Sequence, residues 1–223
     1  MKVAVCFSGE LRSIDKCFPL IQTNILDNIP DVDLFYFTWT DDQDLKKLHF
    51  IEKHPRLKGI QLEKRKIFDE TVFAYKKVRP KVNIMGMMRQ LYCLQMSNNL
   101  KKQYEEMQGF KYDWVLRIRP DMFIINDTSF KIEEGMDNTK VYIPKHDNHY
   151  GYNDRFYASS SPNMDILCNR MDELLYYAQI GGIIHYEKFF KFVIDINGLD
   201  VERIDLRFQL LRTNGHLDLL WDN

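Results

Sequence analysis

The sequence predicts an α/β fold, with a mainly parallel central sheet flanked by helices and a small antiparallel C-terminal part. Three observations lead there. Residues 3–7 (VAVCF) and 32–37 (VDLFYF) are apolar runs of the kind that strands buried on both faces of a parallel sheet require. Stretches of helical periodicity alternate with them. After residue 141 the strand-like runs become shorter.

Residues 112–125, YDWVLRIRPDMFII, form the most informative stretch. Trp114, Leu116 and Ile118 share one face of a period-two pattern, and Val115, Arg117 and Arg119 share the other. Pro120 has no amide to give a sheet ladder, so the strand ends before it and Asp121 stands just past its carboxyl end. Ligands of open α/β sheets bind at that end. Two guanidinium groups and a carboxylate held there point to an anionic ligand, with a divalent metal as a further expectation. The plain alternative is an exposed Arg–Asp pair.

At 223 residues the chain is expected to form a single domain, 1–223. Its 45% hydrophobic and 13% aromatic content marks a folded protein. Lys and Arg, 31 together, nearly balance 32 Asp and Glu. Nothing in that balance attracts nucleic acid or an acidic membrane, so no nucleic-acid partner is expected and any anion site must be local. Cys6, Cys17, Cys93 and Cys168 show neither CxxC nor zinc-ligand spacing. No apolar run approaches the ~18 residues of a membrane span, and no signal-peptide segment precedes the first strand. A cytoplasmic protein in a reducing compartment, with no integral membrane segment, is the expectation.

After the first strand, Ser8 and Gly9 allow a tight turn with backbone close to a ligand, and Arg12 adds a guanidinium. Neither GxGxxG nor GK[ST] is present. A helix is expected over 13–28. The second strand closes in Thr38 and Trp39, after which Asp41 or Asp42 reads as the cap of a helix running toward His54. Residues 59–68 read as a third strand nearer an edge, and 69–83 as a basic loop. A long helix over 85–107, stopped by Gly109, carries Arg89 and Gln90 near its positive N-terminal turns. Residues 126–138 read as a polar connector and 141–144 as a short strand. His146 and His149 make a weak metal pair, because nothing fixes them on one face. Asp154, directly before the strand FYASS, is better placed at a sheet margin. One helix is expected from Pro162 to about residue 180, burying Met164, Ile166, Leu167, Met171, Leu174 and Leu175. A shorter helix from about Tyr186 carries Glu187, and 201–213 supplies one or two edge strands.

CFSGELRS, FYFTW, MMRQLY, YDWVLRIRPDMFI, YNDRFYASS and HYEKFF follow one another in this order over nearly the whole chain. Through them the sequence resembles the small nucleotide-sugar-dependent glycosyltransferases of the GT-A type. Stand-alone forms of these occur in polysaccharide gene clusters and in some large DNA viruses. The resemblance implies a GT-A-like fold, with a nucleotide-binding half at about 1–125 and an acceptor-side half at about 126–223. It also implies a nucleotide diphosphate sugar as donor and a glycan or glycoprotein hydroxyl as acceptor. Asp121 matches the last acid of the family's DxD metal motif, which implies Mn²⁺ or Mg²⁺; Arg119 stands where the first acid would be, and an arginine can itself neutralise a diphosphate. Ser8, Gly9 and Arg12 match the nucleotide-contacting turn, and Thr38, Arg89, Arg117 and Arg119 complete the implied donor set.

Asp154 lies where such enzymes place acids near sugar and acceptor, and Glu187 where some carry another. An inverting transfer needs a carboxylate to take the acceptor proton, with Asp154 the first candidate and Glu187 the second. Two alternatives belong to other classes. A nucleotidyltransferase would want paired metal-holding acids. A catalytically inactive nucleotide- or sugar-binding module is motivated by the absent first acid.

Overall fold

The computed structural model describes residues 1–125 and 128–218. β1 (Val3–Ser8) leads through a tight turn to α1 (Ile14–Asn24), followed by β2 (Val32–Trp39), the short α2 (His49–Glu52) and β3 (Leu57–Glu63). The long α3 (Ile84–Gln108) returns the chain to β4 (Trp114–Ile118), with β5 (Met122–Ile124) just beyond. β6 (Val141–Pro144), β7 (Phe156–Ser159), α4 (Ser161–Cys168), α5 (Leu174–Gln179), α6 (Tyr186–Ile196), β8 (Val201–Ile204) and β9 (Phe208–Leu210) complete the order.

Seven strands form the central sheet in the order β3-β2-β1-β4-β7-β6-β8, and β5 pairs with β9 in a small antiparallel sheet. The first four run parallel. β7 enters antiparallel to both β4 and β6, and β8 lies parallel to β6 at the edge. This is the α/β, mostly parallel architecture that the sequence predicts. Every residue of β1 is buried, as its unbroken apolar run requires. Alternate residues face opposite cores: Val3, Val5, Trp114 and Leu116 pack with α1, whereas Ala4, Cys6 and Val115 pack with α3. All four cysteines are free and buried. No helix among the described residues is long and apolar enough to cross a membrane.

α3 begins and ends as its sequence dictates. The Asn83 side chain accepts the Gly86 N–H at 2.8 Å, and Gly109 closes the helix in the left-handed region. Other boundaries differ from expectation. α1 stops at Asn24, with a 3-10 turn at Leu26–Asn28, and β3 covers Leu57–Glu63 rather than 59–68. The single helix expected after Pro162 is broken after Cys168 into α4, a 3-10 turn at Arg170–Glu173 and α5. The break buries Arg170, which donates to the Tyr157 hydroxyl and the Leu167 carbonyl; Ile166 and Leu175, expected inside, are each 37% exposed. Residues 126 and 127, which open the expected polar connector, lie outside the described residues.

A buried charge network sets where α3 sits. Lys101 Nζ lies 2.5 Å from Ser161 Oγ, 2.9 Å from Asp165 Oδ1 and 3.4 Å from Glu105 Oε2. Glu105 Oε1 in turn accepts the Ser161 hydroxyl at 2.6 Å and the Tyr112 N–H at 3.0 Å. These bonds tie α3 to α4 and to the entry of β4. Removing Glu105 leaves the buried Lys101 with Asp165 as its one remaining carboxylate and takes the acceptor from Ser161 and Tyr112, whereas replacing Lys101 and Glu105 together with apolar groups leaves neither buried charge. Glu105→Ala is therefore expected to cost about 3–5 kcal/mol in urea unfolding, and the double variant Lys101→Met/Glu105→Leu less than that single change. A double variant at least as unstable as the single would contradict this account.

Candidate functional site

The carboxyl ends of β1 and β4 open onto a cavity of about 440 Å³. In the turn after β1, Gly9 takes φ 109°, a conformation that side-chain-bearing residues rarely adopt. Its N–H donates to Phe37 O at 3.2 Å, and its carbonyl accepts the Tyr36 hydroxyl at 3.1 Å. Arg12 is also left-handed, at φ 42°, a strain of the order of 1–3 kcal/mol in a non-glycine residue. Two tethers hold it there. The Leu11 N–H donates to Asp42 Oδ2 at 2.7 Å, and Lys47 Nζ donates to Arg12 O at 2.5 Å. Asp42 thus anchors this turn and caps no helix, because a buried amide at Leu11 needs an acceptor and the 3-10 turn after Asp44 has no side-chain cap. Ser8 Oγ is buried against the cavity and has no protein partner among the described residues.

At the end of β4, Arg119 lays its fork on Asp121: Nε donates to Oδ1 at 2.8 Å and Nη2 to Oδ2 at 2.9 Å. Arg12 Nη1 donates to the same Oδ2 at 2.8 Å. Asp121 is 1% exposed. Burial pushes its carboxyl up, but Arg119 and then Arg12 outweigh burial and hold it well below the usual carboxylate range. Arg119 Nη1 also donates to Gln90 Oε1 at 3.2 Å, and Gln90 Nε2 donates to Asp154 Oδ2 at 2.9 Å. A cation on one side and a carboxylate on the other fix that amide's orientation. Arg170 Nη2 lies 3.5 Å from the same Asp154 oxygen. Arg117 is buried beneath the cavity, donates to the Arg155 carbonyl, and is pulled down to about 10 by burial.

Glu187 reaches the cavity from the first turn of α6. Its placement depends on Gly151: a Cβ there would come within 2.1 Å of the Glu187 carbonyl, and the Tyr152 N–H donates to that carbonyl at 3.1 Å. Arg155 does not pair with Asp154; it contacts Asp147 at 2.5 Å and Glu187 at 3.7 Å. His185 Nδ1 lies 3.1 Å from Glu187 Oε2, and Arg79 Nη1 donates to His185 Nε2 at 2.9 Å. An arginine cannot accept, so Nε2 is the bare nitrogen of that ring and Nδ1 carries its proton. Burial, then the Arg79 charge, lowers His185 to about 4, so the ring is neutral at neutral pH. Burial, then the charge of Asp154, raises Glu187 to about 8.

Of the residues singled out in the sequence, Ser8, Gly9, Arg12, Arg89, Arg117, Arg119, Asp121, Asp154 and Glu187 all line this one cavity. Thr38 does not; it is fully buried, its hydroxyl 3.4 Å from Asp42. Arg155, Tyr186 and Arg212 also line the wall and carried no sequence signal of their own. Six guanidinium groups, those of Arg12, Arg89, Arg117, Arg119, Arg155 and Arg212, meet four carboxyl groups in the lining, those of Glu10, Asp121, Asp154 and Glu187. Burial pushes the Cys93 thiol up, so it is no nucleophile. His146 turns away from any metal role, with Nε2 on Leu206 O and Nδ1 on Asp147. Among the described residues no group of three or more His, Cys, Asp or Glu is placed to hold a metal ion. Asp121 stands alone as an acid between two guanidinium groups, a donor set that does not fit a divalent cation.

Residues 1–215 match the family described as a domain of unknown function (DUF7796), and the chain belongs to that family. No curated protein matches it.

Glu187 makes a pH test possible without any substrate. Its ordinary value is 4.5 and its folded value about 8, so the folded state holds the proton more tightly than the unfolded chain. The resulting loss of stability is absent below 4.5, grows as pH rises, and is complete above about 8. In urea titrations, Glu187→Gln is expected to gain on the wild type steadily across that window. A difference independent of pH would mean that Glu187 is ionised throughout.

Proposed function

We propose that this protein is a glycosyltransferase, moving a sugar from a nucleotide diphosphate sugar to a hydroxyl of a glycan or glycoprotein acceptor, with a GT-A-like site. One observation supports this above the others. Guanidinium groups outnumber carboxyl groups in one lining, with Arg12, Arg117 and Arg119 at the carboxyl ends of β1 and β4, and two carboxyl groups, Asp154 before β7 and Glu187 on α6, share that lining. A diphosphate fits the first feature, and sugar hydroxyls with an acceptor proton fit the second.

The residues divide the work as follows. The turn at Ser8 and Gly9 receives the nucleotide, with the Ser8 hydroxyl free to bond it. Arg12 and Arg119 take the diphosphate. The acceptor oxygen forms a bond to the anomeric carbon while the bond from that carbon to the phosphate oxygen breaks. The electron pair leaves with the nucleoside diphosphate, and the guanidinium groups balance its growing charge. The acceptor proton passes to Glu187, whose raised value makes its carboxylate a stronger base than an exposed glutamate. Asp154, held by Gln90 and Arg170, is placed to accept sugar hydroxyls. This reverses the order of the two acids that the sequence suggests: both are buried, but Asp154 is committed to Gln90 and Arg170, whereas burial and the charge of Asp154 raise Glu187.

A panel of nucleotide sugars, first with water and then with simple glycosides as acceptor, tests the proposal. The rate should rise with pH as Glu187 loses its proton, levelling off above about 8. Glu187→Gln should lower kcat by roughly 10²-fold or more with little change in donor affinity, whereas Asp154→Asn should act mainly on donor KM. Tight donor binding with no turnover for any acceptor would favour a binding module. Release of pyrophosphate from nucleoside triphosphates would favour a nucleotidyltransferase.

A further inference from the structure

We infer that the diphosphate of the donor is held by the Arg12 and Arg119 guanidinium pair in place of a divalent metal, with Asp121 as the buried post that aims the two forks. The inference rests on the reading of this cavity as a nucleotide diphosphate site. It departs from the Mn²⁺ or Mg²⁺ that the glycosyltransferase resemblance implies, and the chemistry of the donor set carries it.

A metal ligand needs lone pairs turned toward the cation, and a divalent cation in an oxygen site gathers several ligands. Asp121 has committed three of its roughly four lone-pair sites to guanidinium donors. Oδ1 takes one guanidinium donor and Oδ2 takes two, all between 2.8 and 2.9 Å. A cation within bonding distance of either oxygen would also sit beside two fixed positive charges. At 1% exposure no bulk water relieves that repulsion.

The same bonds leave the forks ready for an anion. A guanidinium has five N–H donors. Arg119 uses three, two on Asp121 and one on Gln90, and Arg12 uses two, on Asp121 and Glu10. The remaining N–H groups belong to two side chains that line the cavity and whose rotamers are already fixed. Ser8 Oγ and Arg117 Nε, buried in the same lining, also have no protein partner among the described residues. These two polar atoms leave donors unused in residues of the lining, beside the unused guanidinium N–H groups.

The charge balance points the same way. The lining holds six guanidinium groups against four carboxyls, one of which, Glu187, is largely protonated at neutral pH. The excess is three positive charges, which covers the two negative charges of a nucleotide diphosphate sugar and the two to three of the nucleoside diphosphate it releases. A divalent ion would add two more positive charges.

Calorimetric titration of uridine, guanosine, cytidine and adenosine diphosphates decides the matter, each titrated in EDTA and again in excess Mn²⁺. At least one should bind in EDTA, with Mn²⁺ improving its affinity by no more than about twofold. Arg12→Gln and Arg119→Lys should each weaken that binding by roughly 10-fold or more in EDTA; the lysine keeps the charge but loses the fork. Arg12 is 29% exposed, so its variant tests the proposal even where the Arg119 variant loses stability. Binding that needs Mn²⁺ and disappears in Asp121→Asn would overturn the guanidinium proposal while leaving the diphosphate reading intact. No binding of any diphosphate in either buffer would overturn both.

Discussion

A single buried carboxylate holds this site together. Asp121 sits under two guanidinium groups that come from distant parts of the chain, Arg12 in the turn after β1 and Arg119 at the end of β4. Removing a carboxylate from water is costly unless cations and donors replace the water, and Arg119 with two bonds and Arg12 with one supply that replacement. The constraint then passes outward. Arg119 orients Gln90 on α3, Gln90 orients Asp154, and Asp154 meets Arg170. The Asp121 carbonyl also accepts the Leu211 N–H at 2.9 Å, which brings in the segment after β9. A ligand therefore meets side chains that are already ordered, and it bears little of the entropy of arranging them.

The opposite wall is fixed differently, by backbone strain and close packing. Asp147, His149 and Tyr150 all hold positive φ, at 54°, 45° and 66°, in a run that ends at Gly151. Such conformations persist only where surroundings over-determine them. Here the surroundings are the Asn148 side chain, which donates to Lys145 O and accepts from Arg203, and the Gly151 backbone pressed on Glu187. The Glu187 carboxyl is nearly buried, beside a histidine whose proton position is set by Arg79. Charge anchors the Asp121 side of the cavity, and burial tunes the Glu187 side.

What the sequence revealed follows from the range of the interactions involved. β1 and β2 announce themselves because burial on both faces demands unbroken apolar runs, and α3 because its cap and stop are local. Arg119 and Asp121 were legible as a pair because a single residue, Pro120, separates them and ends the strand. Their partner Arg12 lies more than a hundred residues away; its type was readable, but not its target. Asp42 looked like a helix cap because an acid before a helical stretch usually is one. Only the tertiary fold reveals the Leu11 amide that claims it. Arg155, Arg170 and Arg212 are single arginines without periodicity, and nothing local separates them from solvated charges. The raised value of Glu187 is likewise invisible in sequence, since it depends on burial and on Asp154, neither of which is local.

The position of Asp154 shows how topology does what spacing cannot. Four parallel strands end at one edge of the sheet, and further parallel strands would each need a crossover to present a residue there. β7 instead runs antiparallel beside β4, with Phe156 opposite Ile118 and Ser159 opposite Val115. The entry of β7 therefore meets the exit of β4. Asp154 and Arg155, which precede β7, and Arg119 and Asp121, which follow β4, share one rim without any long connection. Reversing one strand converts a sheet with ligand groups on loops after its strands into one with ligand groups before a strand as well. That reversal brings Asp154 and Arg155 to the same cavity rim as Arg119 and Asp121.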